Sequence, residues 1–272
     1  MLAKNQTLAV LGCGTMGEAI VRGLLASKRL EAGQIYATDR RPEVIKALRD
    51  KHGIRATADN AEACRAAEVV VVCVKPHEVG AVVSAPETQK ALVGKLVISI
   101  AAGVRLEQLA RWLPESHVIR AMPNTPCLIG EGMTVIARGK GVSDAHAAQA
   151  TEIFTCVGRC LEAEDKLMDA VTSLNGSGPA FAYIMLEALA DGGVRMGLRR
   201  DTAIEIAAQM FQGAARMVLQ TGMHPAALKD QVTTPAGSTI AGLLTMEDGR
   251  IRSVIARAVE EAAHVAAKLG QG

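Results

Sequence analysis

Hydrophobic and polar residues are arranged differently in the two halves of this chain. Through about residue 163, short apolar runs alternate with amphipathic stretches. The run LAVL at 8–11 comes first. EVVVVCV at 68–74 and KLVISIA at 95–101 are nearly all apolar and rich in β-branched residues. Such runs suit parallel strands covered on both faces. QIYATD at 34–39 and residues 54–56, 117–121, 133–138 and 158–163 supply further extended segments. Between them, Met16, Ile20 and Leu24 share one face of a helix over 15–27. Pro42 is a good first residue for the next helix, with Glu43 in its first turn. Asp59 or Asn60 caps a small helix at 61–66. Another helix spans 105–113 and ends before Pro114, and Ser143, beside Asp144, caps one reaching about residue 156. Strands alternating with helices predict an α/β domain built on a parallel sheet.

Near Asp165 the alternating pattern stops, and the remaining residues read as helical. A helix over 169–174 is expected to break at Asn175-Gly176-Ser177-Gly178-Pro179. Long Ala- and Leu-rich helices follow, from Pro179 to about 195 and then to Thr221, with a loop at 222–225. The turn 233–237 leads into helices at about 238–246 and 251–269. These helices carry broad apolar surface and few bulky residues, which suits burial against a second copy of the chain. The expected domains are 1–163 and 164–272.

The first apolar run ends in Gly12-Cys13-Gly14-Thr15-Met16-Gly17, a G-x-G-x-x-G turn between strand and helix. Gly12 allows a tight exit, Gly14 lets a pyrophosphate approach the backbone, and Gly17 lets the helix pack closely on the sheet. The phosphates sit on the helix N-terminus, where free N–H groups and the dipole favour anions. This is the fingerprint of dinucleotide binding. Asp39 follows about 20 residues on, where an acid binds ribose hydroxyls. Arg40 and Arg41 come directly after it and suit a 2′-phosphate. The acid points to NADH and the arginines to NADPH, and both remain open here. Val74, Lys75 and Pro76 end the strand at 68–74, so Lys75 lies at the carboxyl edge of the sheet, where ligands of open α/β sheets bind. Small Ala102 and Gly103 end the strand at 95–101 and leave room for a flat ring.

Composition narrows the class. A net charge of +2 without a basic block argues against a nucleic-acid surface. Aromatics are 2% of residues, so the cores are aliphatic. The six cysteines show no C-x-x-C or paired zinc spacing, and the six histidines no ligand pair, so no metal is expected. Free cysteines in apolar segments suit a reducing compartment. The glycine turn begins before a signal-peptide core has room to form, and no apolar run is long enough for a membrane span. A cytoplasmic enzyme with a small-molecule substrate is expected.

Three further blocks identify a family. RAMPNTPCLIGEGMT at 120–134, DAVTSLNGSGPA at 169–180 and LKDQVTTPAGSTIAGLLTME at 228–247 stand in order along the chain, with ALADGGVRMGL at 188–198. Together they resemble pyrroline-5-carboxylate reductases, essentially end to end. The resemblance implies a Rossmann N-terminal domain followed by an all-α C-terminal dimerisation domain. It implies a homodimer, often assembled into decamers in the family, with the active site at the cleft between the two parts. The implied reaction is NADPH- or NADH-dependent reduction of 1-pyrroline-5-carboxylate to L-proline, the last step of proline biosynthesis.

By the same resemblance, Thr239 hydrogen-bonds the imine nitrogen, Gly237, Ser238 and Thr239 hold the carboxylate, and Thr234 keeps a hydroxyl nearby. Residues 235–239 form a helix start with exposed N–H groups, which is consistent with an anion site. Glu164 or Asp165 approaches the substrate. Gly12 to Gly17 take the pyrophosphate, Asn60 lies near the adenosine ribose, and Val74, Lys75 and Pro76 lie along the cofactor. Ala101, Ala102 and Asn124 line the nicotinamide. Position 39 varies in the family and leaves the cofactor choice open. Two rivals are a hydroxyacid or F420-type reductase and a non-enzymatic dinucleotide sensor. A hydroxyacid dehydrogenase calls for a lysine where 175–179 has none, and the sensor has no use for the TTPAGST turn.

Overall fold

The computed structural model describes residues 6–269. Residues 1–5 and 270–272, the outer ends of the two expected domains, lie outside the described residues. Among the described residues, eight strands form one sheet: β1 (Leu8–Leu11), β2 (Ile35–Thr38), β3 (Arg55–Thr57), β4 (Val69–Val72), β5 (Leu96–Ser99), β6 (His117–Met122), β7 (Gly132–Arg138) and β8 (Gly158–Glu162). Their order is β3-β2-β1-β4-β5-β6-β7-β8. The first six are parallel, β7 runs antiparallel to β6, and β8 is parallel to β7. The order reverses between β1 and β4, which places a topological switch point at the end of β1.

Seven helices cover the sheet: α1 (Thr15–Ala26), α2 (Pro42–His52), α3 (Asn60–Arg65), α4 (Pro76–Val83), α5 (Pro86–Leu92), α6 (Leu106–Trp112) and α7 (Asp144–Thr155). Alternate residues of a strand point to opposite faces. Leu8, Val10, Val69 and Val71 therefore join Ile20, Leu24 and Phe154 in one core. Ala9, Leu11, Val70 and Val72 join Val79, Leu92 and Leu109 in the other. All four residues of β4 are fully buried, as its unbroken valine run requires. Asp59, not Asn60, caps α3, accepting from the Ala61 and Glu62 N–H groups. The Ser143 hydroxyl caps α7. Helix α5 had no counterpart in the sequence pattern. A methyl group added at Gly80 of α4 would lie 2.9 Å from the Trp112 ring. The lack of a side chain at Gly80 thus brings the chain's single tryptophan against α4.

The chain divides into two compact units. One contains the residues through Ser177 together with those from Ala262 onward, and the other is Gly178–Glu261. The sheet ends at Glu162, close to the expected boundary at 163/164, but the next residues stay with it. Met168 is fully buried with Val135 and Ala137. Arg120 of β6, only 3% exposed, pairs with Asp165 at 3.0 Å and Asp169 at 3.4 Å. Arg105, the N-cap of α6, approaches Asp169, also at 3.4 Å.

Helix α8 (Met168–Val171) continues through a π-helical stretch at Thr172–Ser177 into α9 (Gly178–Arg195). The expected break at 175–179 is therefore a widened turn. A wider turn accommodates the absent N–H of Pro179, and Asn175 anchors it by donating to the Met122 and Met133 carbonyls at 2.8 and 3.0 Å.

The second unit holds α9, α10 (Arg200–Thr221), α11 (Pro225–Val232), α12 (Ser238–Asp248) and the first part of α13 (Ile251–Leu269). His224 caps α11 through its ring nitrogen. Buried apolar side chains in this unit are small, namely Ala190, Ala203 and Ala207, while Tyr183, Ile184, Met196, Leu219 and Leu244 are exposed. Apolar exposure on this scale marks an association surface.

The Arg120 cluster yields a stability ranking. Replacing Asp165 and Asp169 together by Asn leaves a buried guanidinium without an anion and should cost about 3 kcal/mol or more. Arg120→Met removes the buried charge itself and should cost less. Urea midpoints at one protein concentration would check the order, and a larger loss for Arg120→Met would reverse it.

Candidate active site

A cleft of about 340 Å³ opens at the carboxyl edge of the sheet, at the switch point. Its lining includes Gly12, Gly14, Asp39, Arg40, Arg41, Asn60, Val74 and Lys75. Gly12 has φ +79°, and an added Cβ would lie 2.5 Å from Val74 Cγ1. The backbone at the end of β1 can thus run against the end of β4 only without a side chain. The Gly12 and Cys13 N–H groups donate to the Thr38 carbonyl, tying the turn to β2. Gly14 is different, because a Cβ there would meet nothing within 4 Å. It precedes α1 and caps it without any side-chain hydrogen bond. The N–H groups of Thr15, Met16 and Gly17 therefore begin a helix with no side-chain acceptor above them, and open space lies at Gly14. This arrangement fits a pyrophosphate. Cys13 is buried, which pushes its thiol up to about 12, so it is an apolar wall and not a nucleophile. Met16 packs against the core from a half-buried position.

The end of β2 shows how the acid and the arginines share the site. Arg41 grips Asp39 with both ends of its guanidinium, Nε to Oδ1 at 2.9 Å and Nη2 to Oδ2 at 3.0 Å. The Arg41 backbone N–H adds a third bond at 3.0 Å. Asp39 is 7% exposed in its side chain. The Arg41 hydrogen bonds hold its carboxyl below the usual carboxylate range, against the opposing effect of burial. Three acceptor positions of Asp39 are thus already filled, which weakens it as a ribose partner. Arg40 points elsewhere and meets Glu78 of α4 at 3.0 Å. Asn60 accepts the Thr38 hydroxyl at 2.6 Å, and that hydroxyl also accepts the Gly12 N–H at 3.3 Å.

Other expected residues stand along the same edge but do not line this cleft. Pro76 is the first residue of α4. Ala101 and Ala102 follow β5, with Ala101 buried. Asn124 follows β6 and is committed within the fold. It donates to Asn175 Oδ1 at 2.9 Å and accepts the Met133 N–H at 2.9 Å. Its amide thereby fixes the Met-Pro-Asn turn to β7 and the π-helical stretch. Asp165 is held by Arg120, as described above.

In the second unit, Thr234, Gly237, Ser238 and Thr239 form one turn. The Gly237 N–H donates to the Thr234 carbonyl at 3.1 Å. A Cβ at Gly237 would fall 2.4 Å from the Thr234 hydroxyl oxygen. Ala236 holds φ +56°, a left-handed conformation unusual for a residue with a side chain. Gly237 is the N-cap of α12, and no side chain caps the helix. The Ser238 and Thr239 hydroxyls are thus not used as caps.

Comparison with known proteins decides the family. Residues 165–269 match the family model for pyrroline-5-carboxylate reductase dimerisation. A Methanosarcina acetivorans pyrroline-5-carboxylate reductase is 40% identical over 269 residues, covering 98% of this chain and 99% of its own length. The chain belongs to the pyrroline-5-carboxylate reductase family. The Escherichia coli enzyme of the same name is 38% identical, with 98% and 99% covered. A solved structure of a Coxiella burnetii pyrroline-5-carboxylate reductase matches with TM-score 0.92 at 32% identity, covering 97% of this chain and 98% of its own. A Plasmodium falciparum pyrroline carboxylate reductase, solved with NADP bound, matches with TM-score 0.87 at 29% identity, covering 98% and 99%. Residues 7–103 also match the family model for NADP oxidoreductase, coenzyme F420-dependent, over the dinucleotide-binding part alone. The fold class is the expected one, a Rossmann-like sheet domain followed by a helical dimerisation region.

Sequence reasoning did not find Thr38, Cys73, Glu78 or Val82 in the cleft lining. Thr38 closes an apolar strand, and Glu78 stands three residues after Lys75 at a helix start, a spacing that was available as a signal. Nothing in the sequence marks Ala236 as left-handed.

The two glycines allow binding to be separated from folding. Gly14→Ala should cost no more than about 1 kcal/mol of stability, because its Cβ meets no protein atom and only the N-cap preference for Gly over Ala is lost. The same methyl should weaken nicotinamide dinucleotide binding roughly tenfold or more by filling the phosphate cradle. Fluorescence titration paired with thermal melts checks this, and unaltered binding would remove Gly14 from the phosphate site.

Proposed function

We propose that the chain reduces 1-pyrroline-5-carboxylate to L-proline with NADPH or NADH, the last step of proline biosynthesis. The family relationship over nearly the whole chain carries this reading. The local geometry of the two helix starts supports it, since each leaves its first N–H groups without a side-chain cap. Bound nicotinamide supplies a hydride to the imine carbon, and the ring nitrogen ends as an amine bearing a proton.

The residues of the chain divide the remaining work. Gly12 to Gly17 hold the pyrophosphate, with Asn60, Val74, Lys75 and Pro76 along the rest of the cofactor. Arg40 and Arg41 serve a 2′-phosphate, for which the Arg41–Asp39 pairing leaves Asp39 a weak rival on behalf of NADH. Ala101, Ala102 and Asn124 border the nicotinamide, Asn124 as a residue fixed by its own hydrogen bonds.

On the substrate side, the N–H groups at Gly237, Ser238 and Thr239 suit a carboxylate at the start of α12. The Thr239 hydroxyl hydrogen-bonds the imine nitrogen. A hydroxyl of ordinary acidity positions the imine and does not protonate it: it donates to the neutral nitrogen, the proton then coming from water, or accepts from the N–H of an imine already protonated. Asp165 spends its Oδ1 on Arg120, and Oδ2 is the oxygen it would offer to substrate.

We also propose a homodimer through the helical unit, whose exposed Ile184, Met196, Leu219 and Leu244 need cover, with decamers as the higher assembly. Cytoplasmic residence suits six free cysteines, all with thiols raised first of all by burial. No described helix is long and apolar enough to cross a membrane.

NAD(P)H oxidation in the presence of pyrroline-5-carboxylate tests the activity with both cofactors. Absence of turnover from folded protein would refute it. Thr239→Ala should lower kcat by roughly one to three orders of magnitude, while Thr239→Ser retains most activity. Parent-like rates for the alanine variant would make Thr239 structural.

A further inference from the structure

The cofactor cleft contains an ion pair that the dinucleotide fingerprint does not require. Arg40 follows β2 and Glu78 lies in the first turn of α4, and both line the cleft. Their side chains meet at 3.0 Å across its mouth. The Arg40 side chain is 85% exposed and that of Glu78 30%. A pair this exposed contributes little to folding. Its position matters more than its strength, because Arg40 is the guanidinium at this edge not already bound to Asp39.

We propose that Glu78 is a specificity-determining residue that sets the ratio of NADPH to NADH binding by competing for Arg40. The proposal rests on the reading that the adenosine end of the cofactor lies in this cleft. A 2′-phosphate must draw the Arg40 guanidinium away from the Glu78 carboxylate. This competition weakens NADPH. NADH carries no phosphate at this point and leaves the pair intact. Glu78 therefore acts against the arginines and keeps the second cofactor competitive. Specificity of this kind comes from an unfavourable contact with one ligand as much as from a favourable contact with the other. Asp39 does not take the same part, because Arg41 already fills its carboxylate.

The test is Glu78→Gln in the full-length protein. Glutamine keeps an oxygen for the Lys75 N–H, which Glu78 accepts at 3.4 Å, so the start of α4 is preserved. Binding of NADPH and of NADH is measured by the emission of the reduced nicotinamide at one fixed ionic strength. The expected result is an NADPH Kd lower by about threefold to tenfold, with the NADH Kd within about twofold of the parent. Arg40→Ala should weaken NADPH selectively, and adding Glu78→Gln to it should then change nothing further.

Equal shifts for both cofactors, no shift, or a persistent effect without Arg40 would overturn the proposal. If Arg40→Ala still weakens NADPH in those cases, the placement of the phosphate stands and only the role of Glu78 fails. If Arg40→Ala spares NADPH, the placement fails and the proposal with it.

Discussion

The backbone at the end of β1 passes so close to the end of β4 that Gly12 has no room for a side chain. The cofactor half of the protein depends on this contact. The approach lets the chain turn with positive φ, start α1 with uncapped N–H groups and face the outgoing residues Val74 and Lys75 across one cleft. The valine-only β4 serves the same end. A strand with no polar side chain can be buried on both faces, so it can sit in the middle of the sheet beside β1. The hydrophobic pattern thus fixes which strand is central, and strand order fixes where a ligand can enter.

A second constraint is electrostatic. Arg120 is placed by its strand in the interior, and it carries a charge that burial alone would make costly. Asp165 and Asp169 supply the counter-charges, and Arg105 joins from the N-cap of α6. The residues after the sheet are therefore held to it, and the compact unit runs on to Ser177. The Asn124–Asn175 amides secure the same region by geometry instead of charge, using carbonyls at the ends of β6 and the start of β7.

Much of this was legible in the residues. The strands, most helices, the glycine turn and the helical second half follow from periodicity, because each is a local pattern. Helix α5 was missed because Pro86–Leu92 is short and its apolar face is narrow. The π-helical stretch read as a break because Gly and Pro ordinarily interrupt a helix, and the Asn175 bonds that carry it through come from residues over forty positions away. The cleft was legible where it follows strand ends, as at Gly14 and Asp39. It was not legible in its ion pairs, since neither the Arg41 grip on Asp39 nor the Arg40–Glu78 contact is written in either residue alone. The TTPAGST turn could be read as a helix start, but the left-handed Ala236 within it could not.

The contact between Gly80 and Trp112 has an optical consequence. The chain has one indole, and the fold sets it against the helix whose first turn carries Pro76 and Glu78. Intrinsic tryptophan emission from this protein therefore comes from a single known place, on the far side of the helix that borders the dinucleotide cleft. The poverty in aromatic residues leaves that signal without competition from a second indole. The molecule thus carries a native spectroscopic label beside α4, with no dye or engineered residue needed.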